Sequence, residues 1–137
     1  MAGPRAREAR VLIGRDAELA AVEAALAAAR AGRGQLLAFI GEPGIGKTRL
    51  ADEASARALH HGFRVAWGRT WDGMGAPPGW PWTQILRELV DEGVPLAPSE
   101  TVDLAPLLPE ARTETPASEV GFRAFDALLR VLRRAAR

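Results

Sequence analysis

The sequence predicts an α/β fold, a three-layer arrangement with helices on both faces of a parallel sheet, from three observations. Gln35-Leu36-Leu37-Ala38-Phe39-Ile40 is a short apolar run of the kind that forms a buried parallel strand. Gly41-Glu42-Pro43-Gly44-Ile45-Gly46-Lys47-Thr48 follows it as a glycine-rich loop. Thr48 to His60 then carries Leu50, Ala51, Ala54 and Ala58 at helical spacing, with no Gly or Pro. Strand, glycine loop and helix in that order are the unit from which such sheets are wound.

The other elements follow along the chain. Met1 to Arg10 mixes Gly, Pro and charge without a period and is expected to be disordered. Val11-Leu12-Ile13 is a short apolar run closed by Gly14-Arg15. Asp16 to Ala31 reads as a helix with Leu19, Val22, Leu26 and Ala29 on one stripe, ended by Gly32 and Gly34. After Gly62, Phe63-Arg64-Val65-Ala66-Trp67 reads as a second strand. Gly68 to Pro81 is rich in Gly and Pro and reads as a loop. Pro81 opens a helix whose apolar face is Trp82, Ile85, Leu86, Leu89 and Val90, stopped by Gly93 and Pro95. The four prolines between Pro95 and Pro109 leave room for a helical turn around Glu100 to Leu108. Ser118 to Arg137 reads as a helix with Phe122, Phe125, Leu129 and Leu132 on one face.

Composition narrows the function. The 137 residues make one small domain. A formal charge of +1 gives no electrostatic case for nucleic acid, and the arginines at Arg130, Arg133, Arg134 and Arg137 read as a solvated helix face near a C-terminus. The absence of cysteine excludes disulfides and thiolate zinc sites. His60 and His61 read as residues of a helix end before Gly62. No apolar run reaches the ~20 residues of a membrane span, and no signal peptide is visible, so a cytoplasmic location is expected. Trp71, Trp80 and Trp82 read as plugs that seat a loop on the core.

The chemistry lies in Gly41 to Thr48, which fits G-x-x-x-x-G-K-[ST], the phosphate-binding loop. Gly41, Gly44 and Gly46 let the main chain turn tightly and approach an anion without a Cβ between. Their N–H groups make an anion nest, and the following helix adds its positive end. Lys47 reaches the β/γ-phosphates as a point charge, and the Thr48 hydroxyl serves Mg²⁺. Lys47 is the only lysine among the eighteen Lys and Arg residues, at a place where arginine's planar fork would fit poorly. The expected phosphate-side contacts are thus Gly41, Glu42, Pro43, Gly44, Ile45, Gly46, Lys47, Thr48 and Arg49, with Thr48 as the metal ligand.

Four stretches also carry a family resemblance: Val11 to Leu19, Gly41 to Leu50, Trp67-Gly68-Arg69, and Pro77 to Trp82 with Gln84, Leu86 and Arg87. Together they resemble the N-terminal part of the AAA-like, STAND-class P-loop ATPase domain of large LuxR-type and MalT-like regulators. The resemblance covers Val11 to Leu89 closely and the remainder loosely. It implies ATP with Mg²⁺ as ligand and further domains of the regulator, or self-association, as partners. It also implies adenine-side contacts at Val11, Gly14 and Arg15.

One departure matters. Hydrolysis in P-loop enzymes uses an acid at the end of a buried strand. Asp72, Asp103 and Asp126 do not follow an apolar run, and no catalytic residue is identifiable. The resemblance implies that residues 11–137 form the N-terminal part of the domain, incomplete on the C-terminal side, with little hydrolysis. It also implies that two further strands belong between Gln35–Ile40 and Phe63–Trp67, so poor stability alone is expected. The alternatives are a small P-loop kinase or an interaction fragment that binds no nucleotide.

Overall fold

A computed structural model describes residues 13–70, 79–108 and 117–136. The chain divides into two compact units, Met1–Val65 and Ala66–Arg137. The helices are α1 (Asp16–Arg30), α2 (Lys47–His60), α3 (Trp80–Asp91), α4 (Pro98–Asp103) and α5 (Ala117–Ala135), with a 3₁₀ turn at Ala105–Leu107.

The expected parallel sheet is absent among the described residues. Gln35 to Ile40 and Phe63 to Trp67 have no regular structure, and no ladder joins them. Leu36 and Ile40 are 94% and 92% exposed. The apolar run expressed a side-chain preference, but a strand is completed only by a second backbone about 4.8 Å away. The two runs do not supply that backbone to each other. The α/β reading of the described chain is therefore corrected to a helical one.

The helix boundaries, in contrast, lie where glycine ends them. Gly32 and Gly62 follow α1 and α2 with φ of 77° and 81°. After α2 the Phe63 N–H donates to Ala58 O at 2.9 Å and Gly62 N–H to Leu59 O at 3.0 Å, the paired bonds of a left-handed helix stop. A side chain at that φ would meet its own carbonyl, so glycine stands there.

In the first unit α1 packs on α2. Val22 and Leu50 are its buried hydrophobic residues among those described; Leu19, Leu26 and Ala29 of the expected stripe are half-buried. Ion pairs of Arg57 and a hydrogen bond of His61 supplement this small core. Arg57 Nη1 meets Glu23 Oε1 at 2.7 Å, Arg57 Nε meets Glu53 Oε1 at 2.9 Å, and His61 Nε2 lies 3.0 Å from Glu23 Oε2. Hydrogen bonds from Arg57 and then His61 hold the Glu23 carboxyl below its ordinary range. His61 is thus an interhelix contact, beyond its expected place at a helix end.

The second unit holds the larger core: Leu86, Leu89, Val94, Leu104, Leu107, Ala124, Ala127, Leu128 and Val131. Two expected faces are corrected in part here, since Ile85, Leu86 and Leu89 of α3 and Leu132 of α5 do pack on this core. On α3 the buried residues are Thr83, Leu86 and Leu89, while Trp82 and Val90 are exposed. Thr83 is buried because its hydroxyl donates to Leu107 O. On α5 the buried row is Ala124, Ala127, Leu128 and Val131, and Phe122, Phe125 and Leu129 face outward. That helix has two apolar stripes. The small residues allow α4 and the 3₁₀ turn to approach closely, which the phenylalanines would prevent.

A buried acid fixes the same packing. Glu100 of α4 is 2% exposed. Arg134 grips it with Nη2 to Oε1 at 2.7 Å and Nη1 to Oε2 at 2.9 Å, and Ala97 N–H donates to Oε2 at 2.9 Å. Arg130 Nε stands 3.7 Å from Oε1. Arg130 and Arg134 are therefore structural partners of α4, which corrects their reading as a solvated face. Arg137 lies outside the described residues, as do Trp71 and the N-terminal ten.

Candidate functional site

The candidate site is built on the start of α2. Gly44 and Gly46 have φ of 82° and 95°, the left-handed region in which a Cβ is strained. Ile45 N–H donates to Glu42 O at 3.3 Å, closing a turn between them. A Cβ on Gly41 would stand 3.1 Å from Ile45 Cγ2, so the loop's two ends come close. Gly46 is the N-cap of α2 and supplies no side-chain cap. Leu50 N–H is bonded to Gly46 O at 3.0 Å, one helical turn on. The N–H groups of Lys47 and Thr48 precede that first bond and have no intrahelical acceptor. A helix that opens on glycine keeps these donors for a ligand.

Lys47 closes the arrangement. Its Nζ donates to Gly41 O and Glu42 O, each at 2.8 Å, so the ammonium lies over the loop. Three donors on one nitrogen leave it able to serve these carbonyls and an anion together. Thr48 is exposed in the first turn of α2. Among the described residues no group of three or more acidic, His or Cys side chains could hold a metal ion. A Mg²⁺ ion here would take most of its oxygens from phosphate and water, which is its usual preference.

A cleft of about 160 Å³ lies beside the loop, lined by residues that include Arg15, Glu18, Phe39, Ile45, Lys47 and Leu50. Among the described residues lining it, Glu18 is the one carboxylate. Arg15 Nη1 donates to Glu18 Oε1 at 2.7 Å, which holds that carboxyl below its ordinary range. Arg15 Nη2 donates to Ile45 O at 2.7 Å. The structure thus brings Arg15 to the loop; Gly14, also expected on the adenine side, precedes it with φ of 71°. Val11 lies outside the described residues. Glu42 and Pro43 are exposed in the loop. Glu18 was not foreseen as a site residue; its place three residues after Arg15, on one helical turn, was the available signal.

The AAA ATPase domain family matches residues 11–137. The chain belongs to that family. It is thus a nucleotide-binding, ATPase-like module, and AAA ATPase domains generally bind ATP with Mg²⁺. The chemistry of the loop fits an anion of that kind: glycines at left-handed φ, a helix start with no side-chain cap, and one ammonium bonded to the loop's carbonyls. No curated protein and no solved structure matches the chain. Among the described residues no helix is long and apolar enough to cross a membrane.

Two further stretches of the AAA ATPase domain gain a physical reason. A Cβ on Gly68 would stand 2.5 Å from Pro81 O, so the Trp67-Gly68-Arg69 segment packs directly on the first turn of α3. Gln84 Nε2 donates to Arg69 O at 2.8 Å, and Trp67 N–H donates to Glu88 Oε2 at 2.7 Å. The guanidinium of Arg69 lies 5.1 Å from the Trp67 ring centre, and that of Arg87 5.9 Å from that of Trp80. Trp80 is half-buried, and Trp82 stands outward.

Proposed function

We propose that the chain is the ATP·Mg²⁺-binding module of a STAND-class signalling or transcription-regulating ATPase of the LuxR type, acting in the cytoplasm. One observation supports it most: α2 opens on a left-handed glycine, with Lys47 folded over the carbonyls of Gly41 and Glu42. The narrower class rests on Gly14-Arg15 and on Trp80-Pro81-Trp82. Main-chain N–H groups of Gly44, Gly46, Lys47 and Thr48 take the phosphate oxygens. Lys47 neutralises the β/γ-phosphates, and Thr48 ligates Mg²⁺. Other domains of the same regulator are its proposed partners.

Turnover by this chain is proposed to be slow. The carboxylate lining the cleft is already engaged by Arg15 and is poorly placed to orient a water. Calorimetric titration of Mg·ATP into wild type and Lys47→Ala tests the proposal. Lys47→Ala should weaken binding at least ~10-fold, as expected for loss of a charge-assisted phosphate contact. Equal affinity in both proteins would refute it.

A further inference from the structure

We propose that Arg15 is a positioning residue for the phosphate loop: it orients the Ile45–Gly46 peptide through the Ile45 carbonyl, and Glu18 holds its guanidinium in place. The proposal rests on the nucleotide reading above and goes beyond it, because it assigns Arg15 to the loop's main chain and not to the base.

The geometry carries it. The guanidinium spends one terminal nitrogen on each neighbour, Nη1 on Glu18 Oε1 and Nη2 on Ile45 O, both at 2.7 Å. The peptide bonds described are trans. In a trans peptide the carbonyl of one residue and the N–H of the next point to opposite sides of one rigid plane. Holding Ile45 O toward Arg15 therefore sends the Gly46 N–H the other way.

That control is needed at this position. Gly44 and Gly46 flank Ile45, both at positive φ, and a glycine tolerates either orientation of the adjoining peptide. Without a tether the plane can turn over, presenting a carbonyl oxygen where an anion needs a donor. Arg15 reaches across thirty residues of sequence to prevent this. Lysine could not do the same work, since a point-like ammonium lacks the planar fork that spans two fixed acceptors. Nor does Arg15 act by bringing net charge to the phosphates, because Glu18 cancels it.

The experiment compares Mg·ATP with inorganic tripolyphosphate, which has phosphates and no base. Both are titrated into wild type, Arg15→Ala and Arg15→Lys. Loss of one charge-assisted hydrogen bond predicts that Arg15→Ala weakens both ligands about 10-fold, by the same factor, with Arg15→Lys recovering little. Glu18→Leu should weaken both about 3-fold, and Glu18→Gln should recover part of that loss because its amide oxygen still accepts from Arg15. Nitrogen-15 relaxation dispersion on the ligand-free chain supplies the independent readout. Arg15→Ala should bring microsecond-to-millisecond exchange to Gly46 that wild type lacks.

Weakened ATP with unchanged tripolyphosphate would place Arg15 on the base and overturn the proposal alone, leaving the nucleotide reading intact. Glu18→Gln binding more tightly than wild type would mean that charge is the operative effect and would also overturn it. Unchanged dispersion at Gly46 would do the same. Failure of wild type to bind either ligand would remove the nucleotide reading and the proposal together.

Discussion

Replacing Glu100 by Gln removes the buried carboxylate that Arg134 of α5 grips on α4. The Glu100 carboxyl is held at about 2, against an ordinary value of 4.5, by hydrogen bonds from Arg134 and then from the Ala97 N–H, with burial opposing them. The difference of roughly 2.5 units is worth about 3 kcal/mol at 1.36 kcal/mol per unit. The side chains of Arg134 and Arg130 are 36% and 42% exposed. Water screens them, so the expected contribution falls to about 2 kcal/mol.

The sign follows from a depressed carboxyl. The stabilisation is complete above the unfolded-state value of 4.5 and is lost as pH falls toward about 2. All four tryptophans lie between Trp67 and Trp82, inside the Ala66–Arg137 unit, so tryptophan emission reports that unit. Urea melts at pH 6, 4, 3 and 2.5 are the assay. Between pH 6 and 2.5 wild type should lose about 2 kcal/mol more than Glu100→Gln, whose curve lacks this titration. At pH 6 the variant should be less stable by a similar amount, and Arg134→Met should share its direction. Parallel curves for wild type and Glu100→Gln would refute the clamp.

Two predictions concern the other sites. Gly68→Ala places a Cβ against the Pro81 carbonyl, so the Trp67–Arg69 segment or α3 must shift. It should destabilise the second unit by ~1–3 kcal/mol, the usual cost of overpacking, and blue- or red-shift tryptophan emission; an unchanged urea midpoint would count against the close approach. Thr48→Ala should abolish most of the gain in ATP affinity that Mg²⁺ confers, while Mg-free affinity stays near wild type; equal Mg²⁺ dependence in both proteins would remove Thr48 from the metal.

What the chain's letters disclosed, and what they concealed, divides by the range of the interaction. The glycine loop ahead of α2 was legible because Gly44, Gly46 and Lys47 act locally, through φ and a neighbouring helix start. The ends of α1, α2 and α3 were legible for the same reason, since Gly32, Gly62 and Gly93 stop helices where they stand. The sheet was misread because Gln35 to Ile40 shows only one side of a ladder. The inward face of α5 was misread because Phe122 and Phe125 outweigh Ala124 and Ala127 in hydrophobicity, whereas packing rewards the smaller residues. Glu100 stood only as the start of a helical turn in a proline-rich stretch; the partner of its buried carboxylate, Arg134, lies thirty-four residues later. Arg15 was marked by resemblance, yet its acceptor, a main-chain carbonyl, has no sequence signature.

The central claim is that the amides at the start of α2 receive a polyphosphate. Amide chemical shifts of nitrogen-15-labelled chain, followed during addition of Mg·ATP, test it most directly. Saturable shifts centred on Gly44, Gly46, Lys47 and Thr48, and missing in Lys47→Ala, are the predicted result. Shifts centred elsewhere, or none at millimolar Mg·ATP, would contradict it.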